Sequence, residues 1–190
     1  MAPETRLYTV DDVWELQRQA PSHIKHVELI DGRPVETEPA FLLQGVLAAK
    51  LSSIIAEFAE ERDLGTAGIR GGFYSEKDRH TLLAPFIVFV RKARLPVSPP
   101  DGFLNFMPDL AVEIAASNNP VSFLRKKAQI LLRYGTQMVW IVLPEQRSAE
   151  ICSLAEEDQL KIEPVGIDGK LDGRDVLPGF ELELRQLFKG

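Results

Sequence analysis

Two side chains in this sequence, a glutamate and a lysine, have the types and spacing to do chemistry together. The segment Asp109-Leu110-Ala111-Val112-Glu113-Ile114-Ala115 alternates as a β-strand does. Leu110, Val112 and Ile114 share one face, and Asp109, Ala111, Glu113 and Ala115 share the other. Glu113 is thus a carboxylate flanked by alanines, with room for another group to approach. Lys127 follows on a segment with helical periodicity, whose apolar stripe is Leu124, Ala128 and Leu131. Lys127 lies at the edge of that stripe, about 60° away, whereas Lys126 points nearly opposite. An ammonium beside a carboxylate can stabilise negative charge developing on a phosphoryl group or help orient an attacking water. The same pair can equally be a structural salt bridge between strand and helix, or Lys127 a lysine whose stem covers apolar surface. Asp109 lies roughly 13 Å from Glu113 along the strand, too far to share a metal ion with it, and is read as structural.

The elements that must position these residues follow from periodicity and turn chemistry. Thr9, with Asp12 three residues on, starts a first helix. His26–Ile30 and Arg33–Thr37 flank the two-residue turn Asp31-Gly32, a hairpin signature. A long helix is expected from about Ala40 to Asp63, with Leu43, Val46, Leu47, Leu51, Ile54, Ile55 and Phe58 as its buried stripe. Strands are predicted at Thr66–Tyr74, Pro85–Val90 and Pro108–Ala115, with a polar tip over Ser75–Thr81. A helix over Pro120–Tyr134 leads to the apolar strand Gln137–Leu143. A helix between two such strands predicts a parallel crossover. Ala149–Leu154 and Gln159–Pro164 form an edge hairpin. The fold class is α/β: a mixed central β-sheet flanked by helices, in one domain over residues 1–190.

Composition sets the boundaries. The chain has 190 residues, 45% apolar and 26% charged, enough to bury a core without staples. Its single cysteine, Cys152, excludes an intramolecular disulfide and fits a reducing compartment. Neither a signal peptide nor a membrane span is legible, so a cytoplasmic protein is expected. The net charge of −6 argues against whole-surface attraction to nucleic acid. Yet Arg70, Lys77, Arg79, Arg91, Lys92 and Arg94 cluster in residues 70–94, and Arg125, Lys126, Lys127 and Arg133 stand among no acids in residues 114–144. Such blocks are either a polyanion-facing patch or a solvated face. Gly71-Gly72 reads as a bulge or turn, Cys152 as structural and His80 as solvated.

Several ordered segments resemble one bacterial family: Val27-Glu28-Leu29-Ile30-Asp31-Gly32, Pro85-Phe86-Ile87-Val88-Phe89-Val90, Pro108-Asp109-Leu110-Ala111-Val112-Glu113, Lys127 with Gly135 and Trp140-Ile141-Val142, and Leu177-Pro178-Gly179-Phe180. The family comprises short restriction-endonuclease-like proteins with the PD-(D/E)XK nuclease fold. The resemblance implies phosphodiester hydrolysis of DNA, with Mg²⁺ (or Mn²⁺) held by carboxylates and activating water while a lysine assists. Carried over by position, the site is Glu113, Lys127 and Glu28, with Glu113 and Glu28 as metal ligands. His26 would lie near Glu28. The position of the family's central aspartate is held here by Phe86, which has no oxygen for a hard cation, and Gln44 stands near a usual histidine. An impaired nuclease is therefore expected. The alternative is a catalytically inactive binding or assembly module on the same fold. A homodimer through the edge hairpin around Ile151 is compatible with both.

Overall fold

The computed structural model describes residues 6–19, 27–36, 41–98, 101–117 and 120–189. Helix α1 (Val10–Gln19) precedes a hairpin of β1 (Val27–Ile30) and β2 (Arg33–Glu36), and α2 spans Leu42–Glu61. Four strands follow: β3 (Gly65–Ile69), β4 (Phe73–Ser75), β5 (Asp78–Leu83) and β6 (Ile87–Arg91). Then come β7 (Leu110–Ile114), α3 (Val121–Arg133), β8 (Met138–Leu143), β9 (Ser148–Leu154) and β10 (Leu160–Val165). The chain closes with β11 (Lys170–Asp172), β12 (Glu181–Glu183) and the single turn α4 (Leu184–Leu187).

The central sheet has six strands in the order β10-β9-β8-β7-β6-β3. Only β7 and β8 pair in parallel in it, and α3 makes the crossover between them, as the helix between two apolar runs predicts. The alternation of β7 is realised. Leu110, Val112 and Ile114 pack with Ile87, Phe89 and Trp140 beneath α2, while Ala111 packs with Val88, Val139 and Ile141 beneath α3. The mixed sheet flanked by helices is therefore the observed architecture. A second, four-stranded sheet, β2-β1-β5-β4, brings the first hairpin against this core. Its turn has Asp31 at φ 52° and Gly32 at φ 72°, the left-handed pair a two-residue hairpin needs.

Three expectations are corrected. Thr66–Tyr74 is not one strand: the chain breaks at Arg70, which adopts φ 51°, and β3 and β4 enter different sheets. Gly71 and Gly72 follow, where a Cβ would collide with the rings of Phe73 and Phe103 respectively. The expected polar tip over Ser75–Thr81 is largely the start of β5. In α2 the buried set is Gln44, Leu47, Ala48, Leu51, Ile55 and Ala59, whereas Leu43 and Val46 are 55% and 53% exposed. The amide of Gln44 explains the shift, because its Nε2 donates to the Ile114 carbonyl at 2.8 Å and turns that side of the first turn inward. By length and composition α2 could cross a membrane, but its inward stripe packs on the sheet and it gives no evidence of one. The β9–β10 edge hairpin forms as expected, with Ile151 buried against Trp140.

Asp109 is structural, as its spacing indicates. Fully buried just before β7, it accepts hydrogen bonds from the Arg91 amide (2.8 Å), Arg94 Nη1 (2.8 Å) and Gln137 Nε2 (3.0 Å). It thereby fastens the chain ahead of β7 to the end of β6 and the start of β8. Asp109→Ala leaves those donors without an acceptor and is expected to cost about 3–5 kcal/mol, measured by urea denaturation.

Candidate active site

The two glutamates and the lysine converge. Glu113 projects from β7 on the face toward α3, and Lys127 reaches it from the middle of α3. Glu28 arrives from β1, in the other sheet, held by the Ala84 amide, which donates to its Oε1 at 2.6 Å. Lys127 Nζ lies 2.6 Å from Glu28 Oε1 and 2.7 Å from Glu113 Oε1. The two carboxylate oxygens are thus no farther apart than the sum of those distances. The side chains are 5%, 1% and 2% exposed for Lys127, Glu28 and Glu113. The predicted stripe of α3, Leu124, Ala128 and Leu131, is buried around the lysine, and Lys126 faces solvent.

Two negative charges and one positive charge in a dry site cannot all keep their ordinary affinities for protons. Burial pushes the Glu113 carboxyl up to about 7; the Lys127 ammonium pulls it back down, and the charge of Glu28 raises it again. For Lys127, burial works against the charged form, but the two facing glutamates outweigh it and hold the ammonium above the ordinary lysine range. Glu28 Oε2 is buried with no hydrogen-bond partner among the described residues.

The strand register sets the Phe86 backbone at the level of this cluster, with its ring on the α2 side of the sheet. Ile87 pairs with Val112 across β6 and β7, so one further step sets Phe86 level with Glu113. Ile69 pairs with Ile87 across β3 and β6, and the Arg70 amide donates to the Phe86 carbonyl at 3.3 Å. Phe86 is half-buried, packs against the core on the α2 side, and carries the Arg70 guanidinium 4.4 Å from its ring centroid. Arg70 escaped the sequence reading except as one member of a basic block; its position before Gly71-Gly72 was the available signal. His26 lies outside the described residues. His80 is exposed, with Nδ1 2.9 Å from the Tyr8 carbonyl. Cys152 is buried, which pushes its thiol up to about 12 and removes it as a nucleophile.

A divalent cation takes about six oxygen ligands. Here two carboxylates converge, their common space already holds an ammonium, and Phe86 adds no donor. Among the described residues no group of three or more His, Cys, Asp or Glu could hold a metal ion. The side chains present therefore do not make a complete divalent-metal site.

Residues 14–185 match the family described as "Putative restriction endonuclease" (Uma2). The chain belongs to that family. A solved structure described as "a putative nuclease belonging to DUF820 from Anabaena variabilis" superposes with a TM-score of 0.76 at 16% identity, over 95% of this chain and 97% of that one. It shows a shared restriction-endonuclease-like fold. No curated protein matches the sequence.

The Glu113 shift has a measurable consequence. Between pH 4.5 and about 7 the folded chain retains a proton at Glu113 that the unfolded chain has released. Stability is therefore expected to fall as pH rises across that window, by on the order of 3 kcal/mol, and to level off above it. Denaturation curves from pH 5 to 8 should show this slope in the native protein and lose it in Glu113→Gln.

Proposed function

We propose that this is a restriction-endonuclease-like protein that engages DNA and whose divalent-metal-dependent phosphodiester hydrolysis is impaired. One observation carries the reading: Lys127 is locked between Glu28 and Glu113 while Phe86 stands at the level where a further carboxylate would be needed. What the site retains is a fixed ammonium, oriented by two glutamates, of the kind that stabilises charge developing on a phosphoryl oxygen. What it lacks is the oxygen-rich ligand set that would let Mg²⁺ or Mn²⁺ activate water. Replacing one hard-metal ligand by phenylalanine lowers both metal affinity and rate without touching the fold.

A second reading is favoured by the same burial. With all three ionic groups almost wholly out of solvent, their pairing serves structure, and the protein acts as a nuclease-fold binding or assembly module without catalysis.

Nicking of supercoiled plasmid in Mg²⁺ or Mn²⁺ separates the two. Native protein is expected to nick weakly, with Phe86→Asp gaining at least about tenfold, and Glu113→Ala or Lys127→Ala abolishing activity in either background. Strong native cleavage that survives both alanine substitutions would overturn the proposed site. Silence from native protein and Phe86→Asp alike would assign the module.

A further inference from the structure

We infer that Arg70, laid on the ring of Phe86, is the phosphate-binding group of this site, supplying a fixed positive charge to a DNA backbone phosphodiester beside the glutamate–lysine cluster. The inference rests on the proposal that the protein engages DNA, and extends it to a residue and a mode of contact.

Four observations carry it. Arg70, just past the end of β3, and Phe86, just before β6, stand at the backbone level of Glu113 on β7. The charge of Arg70 is felt at Glu113, where it favours the ionised carboxylate. Arg70 nevertheless has no carboxylate within ion-pair distance among the described residues, unlike Arg79, Arg94, Arg125 and Arg174, which are paired with Asp11, Asp109, Glu150 and Glu163. Its partner is instead an aromatic face at 4.4 Å. That distinction matters, because a ring under the guanidinium plane holds it in place and leaves its N–H donors free in the plane. Those donors form the fork that matches two oxygens of a phosphate.

The backbone supports the same role. β3 is the outer strand of its sheet, and Arg70 follows its last residue, half-buried, where the chain turns away. Arg70 holds a left-handed φ of 51°, a conformation a non-glycine residue adopts only when its surroundings impose it. Gly71 and Gly72 then let the chain pass against the rings of Phe73 and Phe103. The side chain's origin is thus fixed at the sheet edge. Phe86, where an acid would ligate a metal, here holds an organic cation.

The test is fluorescence anisotropy of a short labelled DNA duplex in EDTA, titrated with native protein, Arg70→Gln, Arg70→Lys and Phe86→Leu across a salt series, with thermal melts as fold controls. Arg70→Gln is expected to bind about tenfold more weakly and to lower the slope of log affinity against log salt by about one. Arg70→Lys keeps the slope but not the full affinity, because an ammonium neither stacks nor forks. Phe86→Leu keeps the charge, loses its seat, and weakens binding with little change in slope. If Arg70→Gln fails to fold, Arg70→Lys and Phe86→Leu decide. Variants that bind with native affinity and slope would overturn the inference while leaving DNA engagement standing. A native protein that binds no duplex would overturn both.

Discussion

The ion cluster of Glu28, Lys127 and Glu113 is the joint on which the molecule turns. Each residue belongs to a different unit: Glu28 to the small sheet, Glu113 to the central sheet, Lys127 to the crossover helix between β7 and β8. Bringing two carboxylates into a dry interior is strongly unfavourable unless a cation goes with them. Lys127 is that cation, within 2.7 Å of both. Any arrangement that moved α3 or the first hairpin away would strand a buried charge. Packing alone would let the two sheets slide, since apolar contacts are non-directional. The cluster fixes their register, and the Ala84 amide on Glu28 ties the β5–β6 connection to the same point.

That joint also limits the chemistry. A catalytic lysine must present its charge to a substrate, and a metal ligand must present its lone pairs to an ion. Here the ammonium lies at ion-pair distance from both carboxylates, while Glu28 Oε2 and Glu113 Oε1 are buried without a hydrogen-bond partner among the described residues. Glu113, pushed up to about 7, is only partly ionised near neutral pH, so the net charge at the site changes where cells operate. Phe86 completes the limitation. Its ring packs against the core and offers no oxygen donor. On the function proposed above, the cost falls on hydrolysis and not on folding.

Much of the fold was legible in the sequence, and the reasons differ from element to element. The strand around Glu113 alternates without interruption, so its two faces and the partnership with Lys127 followed from periods of 2.0 and 3.6. The parallel crossover followed from a helix between two apolar runs. The start of α2 was not legible in the same way. Leu42, Leu43, Val46 and Leu47 are apolar on more than one face, and the phase was set by a polar residue, Gln44, finding a carbonyl on β7. The break at Arg70 was only half legible: Gly71-Gly72 marked a bulge or turn, but the left-handed backbone sits one residue earlier, at a non-glycine. Glu28 was the hardest. Its strand lies in a separate sheet, so no local pattern could say that it faces Glu113; only the likeness to a family placed it there.

The contrast between Lys127 and Arg70 shows how one end of a sheet can separate holding a fold from meeting a ligand. Lys127 is a compact cation whose charge is consumed by two glutamates at hydrogen-bond distance. Arg70 is a planar cation supported from below by a ring, so its support consumes none of its donors. A metal ion would need to be both things at once, neutralised by the protein's carboxylates and open to the phosphate. With Phe86 in place the two duties fall to different residues. The inner cation is neutralised and keeps the sheets in register, and the outer one is left with charge to offer. On the function proposed above, a scaffold divided in this way keeps electrostatic attraction for a phosphodiester without the means to cleave one, since binding needs a fixed positive charge and hydrolysis needs an activated water as well.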